Sequence, residues 1–234
     1  MANVVVKNNC KDKILSNYCK ENNIDIIDDA YGLGFGENNN FCYRYFKKLG
    51  MRDEDLFLVF NPDIYIEPGE LKKFIDIVNF EGMGLSTINL YLDREFKKYD
   101  HSIRHFPTLK TFILSFLGLG NTTIIDKSNI NEIIDVDWGA GSFLCFQSSL
   151  YNELEGFDES YFMYCEDIDI CYRSALLGNK LTYVPSVKAI HLAQHSNRNI
   201  FSKHFYWHVK SALKFILSRS FGNSKNKKSR LAKI

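Results

Sequence analysis

Three β-branched residues in a row, Val4-Val5-Val6, are followed by a helical stretch from Lys11 to Asn22 and a second apolar run, Ile24 to Ile27. Strand, helix and strand within about thirty residues is the signature of a parallel pair, because parallel strands need a crossover of that length. Val4 to Val6 shows no polar alternation and is expected to be buried on both faces. The alternation of elements continues. Phe41 to Gly50 predicts an amphipathic helix stopped by its glycine. Leu56 to Phe60 reads as a buried central strand, Glu70 to Phe80 as a helix, Gly84 to Leu90 and Phe143 to Phe146 as strands, and Lys180 to Val184 as a strand broken by Pro185. The fold class is α/β, a mostly parallel sheet with flanking helices. With 234 residues, 45% of them hydrophobic, the chain can bury a real core. Residues 1–200 are expected to form the main domain, 201–221 an amphipathic helix and 222–234 a basic tail.

The densest chemistry lies in 156–173, which opens on Gly156, runs through Phe157, Tyr161, Phe162 and Tyr164, and ends in a short helix crowded with carboxylates. At roughly 100° per residue, Cys171, Tyr172, Ala175 and Leu176 fall near Ile168 and form its apolar stripe. Asp169 and Arg173 make an i,i+4 pair beyond one edge. Asp167, at the other edge, has no basic partner on its own helix. An ionised carboxylate beside an apolar wall suits general-base work, and an aspartate near a helix start is equally explained by the dipole.

A second site follows the strand Leu56 to Phe60, which runs into Asn61-Pro62-Asp63. Ligands collect at the carboxyl ends of strands in open α/β sheets, and Asp63 is presented where Mg²⁺ or Mn²⁺ bridging two phosphates could bind. A plain turn aspartate is the competing reading. Gly32, Gly34 and Gly36 do not make a dinucleotide fingerprint. With Asn38, Asn39 and Asn40 they read either as a close backbone approach to a ligand or as a flexible polar turn. Trp138, between Asp137 and Gly139-Ala140-Gly141-Ser142, fits a sugar lying against its ring or a tight packed corner. Residues 91–136 are the least regular, a binding loop or lid in which Arg104 could grip a phosphate or stay solvated. His191, on an apolar segment, is a core histidine or, beside Asp63, a ligand.

The net charge of +1 hides an asymmetry: all 28 acidic residues lie at or before Asp169, and 13 of the 29 basic residues follow it. Phe205, Val209, Ala212, Leu213, Ile216 and Leu217 share one helical face, with Lys203, Lys210 and Lys214 off it. With the basic tail they read as binding an anionic membrane surface, or as a helix docked on the domain. The six cysteines have no CxxC pair or regular spacing, so reduced thiols are expected. The start, Met1-Ala2-Asn3-Val4, lacks a signal-peptide pattern. Thr111 to Gly120, the longest uncharged apolar stretch, is about half of what a bilayer span requires.

Read together, these stretches resemble the family 2 inverting glycosyltransferases of the GT-A fold, a Rossmann-like architecture, and look most like the bacterial rhamnosyltransferases that build O-antigen and related surface polysaccharides. The residues that carry the resemblance are Gly34-Phe35-Gly36 with Asn38 to Asn40, then Phe60-Asn61-Pro62-Asp63, then Asp137 to Phe143. After them come Gly156-Phe157-Asp158, Tyr161 to Asp169, Tyr183-Val184-Pro185 and Ala189-Ile190-His191.

The resemblance implies a divalent cation, Mg²⁺ or Mn²⁺, held by Asp63 with His191 nearby. It implies Asp167 as catalytic base with Glu166 beside it. It further implies a nucleotide-sugar and acceptor pocket drawn from Asn8, Gly34, Gly36, Asn39, Asn61, Arg104, Trp138, Gly139, Gly141 and Ser142. The donor it suggests is dTDP-L-rhamnose, a nucleotide-diphosphate sugar, and the acceptor a polyprenyl-diphosphate-linked saccharide at the inner face of the bacterial plasma membrane. It gives no reason to expect nucleic acid and leaves the oligomeric state open. Members of that family begin one strand earlier, so Val4 to Lys7 corresponds to their second strand, and Asn8 stands where an aspartate commonly contacts the nucleotide. The expectation that follows is a truncated sheet: a fragment, a chain completed by another polypeptide, or an inactive remnant.

Overall fold

The computed structural model describes residues 2–192 and 203–220. The strand–helix–strand unit forms as expected: β1 (Val5–Lys7), α1 (Lys13–Glu21) and β2 (Asp25–Ile27), with β1 and β2 parallel. Asp12 caps α1 by accepting from the backbone N–H groups of Ile14 and Leu15. This ladder is half-buried, not sealed on both faces, and Val4 is exposed.

Then follow α2 (Phe35–Lys48), β3 (Leu56–Phe60), β4 (Ile64–Tyr65), α3 (Pro68–Glu81), β5 (Leu85–Tyr91), β6 (Ile103–Arg104) and α4 (Leu109–Phe116). The chain continues through β7 (Ile134–Val136), β8 (Trp138–Gly139), β9 (Phe143–Gln147), α5 (Ser148–Glu153), α6 (Glu166–Leu176), β10 (Leu181–His191) and α7 (Lys203–Ser220).

The central sheet has the order β3-β9-β5-β10-β4, with β7 on β10. It is mixed rather than mostly parallel: β5 and β10 run parallel, while β9 lies antiparallel to both β3 and β5. Both faces are covered, so neighbouring strand residues divide between two cores. Leu144 and Phe146 enter one with Tyr43, Tyr151, Ile168 and Phe215; Phe143 and Cys145 enter the other with Phe74 and Val78 of α3. Tyr151 anchors the first, its ring 4.5 Å from that of Tyr43 and 4.8 Å from that of Phe57, pairs worth about 1 kcal/mol each beyond area burial.

Pro185 does not end its strand. The register of β10 on β5 jumps between Val184 and Lys188, so the proline sits in a bulge and the strand runs on to His191. The irregular stretch gains α4, closed by a capping box between Thr108 and Thr111.

Candidate active site

The sheet brings the ends of β3 and β10 together. Asp63 follows β3 in the turn to β4, and β4 pairs with the end of β10, with His191 opposite Ile64. His191 Nε2 lies 3.5 Å from Asp63 Oδ1, and its Nδ1 is 2.6 Å from Asp100 Oδ2. Burial alone would push the imidazole pKa down; the Asp100 hydrogen bond and charge, with Asp63 added, hold it up. Burial would raise the Asp100 carboxyl, but His191, Lys127 and Arg104 hold it below its usual range. Lys127, only 3% exposed, donates to Ser102 Oγ, and burial brings its pKa down to about 8.

These residues fit a divalent cation. Asp63 Oδ1 is buried with no hydrogen-bond partner among the described residues. It faces an imidazole nitrogen whose ring is oriented from behind by a carboxylate, the usual outer support of a metal-binding histidine. Among the described residues no cluster of three or more His, Cys, Asp and Glu has metal-holding geometry, so two protein ligands and substrate oxygens would share the ion, as is common for Mg²⁺.

The other corner is the start of α6. Asp167 is half-buried; Gly141 N–H donates to its Oδ2 (3.2 Å) and Ile168 N–H to its Oδ1 (2.9 Å). Burial still raises its pKa above the usual carboxylate value, against these donors and the Arg104 charge. Glu166 is 6% exposed with Oε2 unpartnered among the described residues. Burial, then the neighbouring Asp167 charge, drives it up to about 8. Tyr164 and Cys165, immediately before α6, both hold left-handed backbone (φ 70° and 66°), local strain of a kind that collects at functional sites. Asp169 is spent on structure: it pairs with Arg173 (2.8 Å), which also donates to the carbonyls of Leu154 and Gly156.

Residues 140–142 connect the corners. While Gly141 holds Asp167, the next residue, Ser142, accepts the Asn61 N–H at 3.0 Å, two residues before Asp63. Ser142 Oγ is buried without a partner among the described residues. Arg104 lies between, its charge acting on both Asp167 and Asp100. The structure therefore brings together Asn61, Asp63, Arg104, Gly141, Ser142, Glu166, Asp167 and His191.

Other expected pocket residues lie elsewhere or do different work. Asn8 is 1% exposed: its amide donates to Asp12 O, Ser16 Oγ and Asp28 Oδ1, and its oxygen accepts from Cys10 and Asp12 N–H. With donors and acceptor committed, it has nothing to offer a nucleotide. Gly34 and Gly36 make their close approach to the chain itself. Gly34 caps α2, where a Cβ would collide with Phe162 O, and a Cβ on Gly36 would meet Phe157 Cβ at 2.7 Å.

Asn39 lies inside α2 and donates to Phe35 O. Its neighbour Asn40 is fully buried, joined to Phe157 N–H and O, Tyr151 and Glu159, and so ties α2 to the segment that leads into α6. Trp138 takes the packed-corner alternative: 7% exposed, it donates to His105 O, with the Arg104 guanidinium 5.5 Å over its ring. Gly139 is crowded by Leu181. Asp100 and Lys127 were not expected. The backbone bridges of Leu92 to Lys98 and of Asp100 to Leu90 show the hairpin that carries Asp100. Tyr91 and Tyr99, on either side of a mostly charged turn opened by Asp93, are the signal that could have revealed it.

The mixed sheet covered on both faces is a GT-A-like α/β fold, and the carboxylate–histidine pair at its strand ends and the carboxylate pair at a helix start form the candidate site of a glycosyltransferase. No family model matches the chain. It is 39% identical to the rhamnosyltransferase WbbL of Escherichia coli K12 over 225 residues, covering 95% of this chain and 85% of that one. It is 27% identical over 215 residues to the N-acetylglucosaminyl-diphospho-decaprenol L-rhamnosyltransferase of Mycobacterium tuberculosis, covering 86% and 69%. Among solved structures, GalNAc-T7 with UDP, GalNAc and Mn²⁺ superposes with a TM-score of 0.63 at 12% identity, covering 96% of this chain and 45% of that one. The chain belongs to the same glycosyltransferase family as the rhamnosyltransferase WbbL.

Proposed function

We propose that the chain is an inverting L-rhamnosyltransferase that moves the sugar from a nucleotide-diphosphate donor, dTDP-L-rhamnose, to a polyprenyl-diphosphate-linked saccharide in surface-polysaccharide (O-antigen) synthesis at the cytoplasmic face of the membrane. The names of WbbL and the mycobacterial relative support the sugar, and the latter supports a lipid-linked acceptor. The observation that carries the reading is the 140–142 hinge, which holds Asp167 on one side and the Asn61–Asp63 turn on the other.

Asp167 takes the proton from the acceptor hydroxyl as that oxygen bonds to the anomeric carbon, and the bond from that carbon to the donor diphosphate breaks from the opposite face, inverting configuration. Its raised pKa makes it a better proton acceptor than an ordinary exposed aspartate, and Glu166, keeping its own proton near neutral pH, leaves the negative charge to Asp167. Asp63 and His191 would hold a divalent cation, which when bound supplies neutralisation of the departing diphosphate. Asp100 orients His191, and Arg104 adds positive charge between the two corners. Incubation with dTDP-L-rhamnose, Mn²⁺ and a lipid-linked acceptor should yield a rhamnosylated product. Absence of transfer, or transfer that Asp167→Asn leaves unchanged, would overturn this reading.

A further inference from the structure

Docking accounts for only part of α7. Ala212 and Phe215 are buried against the body, Ser211 donates to Met163 O, and Lys214 pairs with Asp158 over the Tyr161 ring. Leu213 and Leu217, which the sequence places on the same helical face, remain 51% and 55% exposed. Across the seam α4 exposes Leu109 and Ile113, and just past its end Leu117 and Leu119 are 67% and 68% exposed. Between the helices lies an apolar groove of about 280 Å³ walled by Ile113, Phe116, Val209, Leu213 and Ile216. Scattered apolar residues need no explanation, but a continuous two-helix patch does.

Charge identifies what suits this patch. No acidic residue occurs from 101 to 125, the segment that carries α4, nor anywhere after Asp169. Lys110, Lys203, Lys210 and Arg219 are exposed on the two helices, and residues 222–234, which lie outside the described residues, add five Lys and Arg in sequence. An apolar wedge whose own two helices carry exposed cations and no acidic residue complements a surface that is oily inside and anionic outside. None of the described helices is long and apolar enough to cross a membrane.

We propose that the α4–α7 seam is the face on which the chain docks onto an anionic lipid bilayer, with Ile113, Leu117, Leu213 and Leu217 entering the headgroup–acyl boundary. The inference rests on the reading of a lipid-linked acceptor and adds its delivery route. The seam is wired to the candidate site, because Arg219 donates to Pro107 O and Phe106 N–H donates to Asp137 Oδ2, at the edge of the 138–142 segment. A carrier lipid held in the bilayer beside the seam thus lies next to the elements that position Asp167.

The test is co-sedimentation of the full chain with vesicles of phosphatidylcholine alone or with an equal part of phosphatidylglycerol, without donor or acceptor. Binding is expected to the anionic vesicles and to weaken with salt. The double variant Ile113→Asp/Leu217→Asp should bind at least about tenfold more weakly, while Phe80→Asp, on the far more exposed Phe80 of α3 (87% exposed), should bind as wild type. Matching circular dichroism and melting curves for the variants exclude misfolding.

Equal binding by the seam variant, or binding to neutral vesicles as strong as to anionic ones, overturns the proposal. So does a seam-dependent dimer in the absence of vesicles, which would assign the patch to a second copy, or competition by farnesyl diphosphate with vesicle binding left intact in the variant, which would assign it to an isoprenoid chain. Transfer to a short water-soluble acceptor is measured separately: its absence would count against the transferase, and absent vesicle binding against the docking face alone.

Discussion

The two acidic corners of the cleft use the same residue types under opposite electrostatics. Around Asp63 acidic and basic groups alternate, Asp63, His191, Asp100 and the buried Lys127, and the basic neighbours hold the Asp100 carboxyl below its usual range. At α6 two carboxylates stand side by side, supported by backbone N–H groups, and both pKa values rise. Fixed opposite charges suit a place where an ion and a diphosphate must be held; a carboxylate with raised proton affinity suits a place where a proton must be collected. Position in a network, not residue type, decides which work an aspartate can do.

The sharpest way to break this contrast is Asp167→Asn. It should lower kcat by about a thousandfold and leave the Kd for dTDP with Mn²⁺ unchanged; a loss of nucleotide affinity to match would mean the corners are not separate. Asp63→Ala should act in reverse, weakening Mn²⁺-dependent nucleotide binding by about a hundredfold while metal-free binding, measured by calorimetry, stays put. Asp100→Asn tests the outer layer of the same corner: about a tenfold loss of Mn²⁺ affinity, with Asp100→Glu recovering part of it.

The smallest effect is on stability against pH. The folded-state pKa of Glu166, about 8, lies above the ordinary 4.5, so the native chain holds a proton that the unfolded chain releases. That contribution is complete below the ordinary value and is lost as pH rises towards 8. The wild-type melting temperature should therefore fall between pH 5 and 8 more than that of Glu166→Gln, and parallel curves would contradict the assignment.

Much of this was legible because the signals are local. The burial of Ile168 and Cys171, the Asp169–Arg173 pair and the strand running into Asn61-Pro62-Asp63 all follow from spacing within a few residues, whereas Leu176, placed on the same apolar stripe, is 58% exposed and Ile170 and Ser174 are buried in its stead. What the sequence concealed is non-local. Phe143 to Gln147 is buried on both faces like a parallel strand, but it runs antiparallel between β3 and β5, and strand direction leaves no mark on composition. Asp100 meets His191 across 91 residues, and Lys127, flanked by Asp126 and Ser128, looks like any solvated lysine. Gly34 and Gly36 announce a close approach without saying to what; the answer, Phe162 and Phe157, comes only from packing.

The bulge at Pro185 also acts as a phase element. Tyr183 sits in one core and Ala189 in the other, although both numbers are odd, so β10 changes parity between them. Which way His191 points is thus decided several residues upstream, by how many residues are looped out. Deleting a single residue from 185–187 would keep a ladder available to the strand yet turn the imidazole away from Asp63.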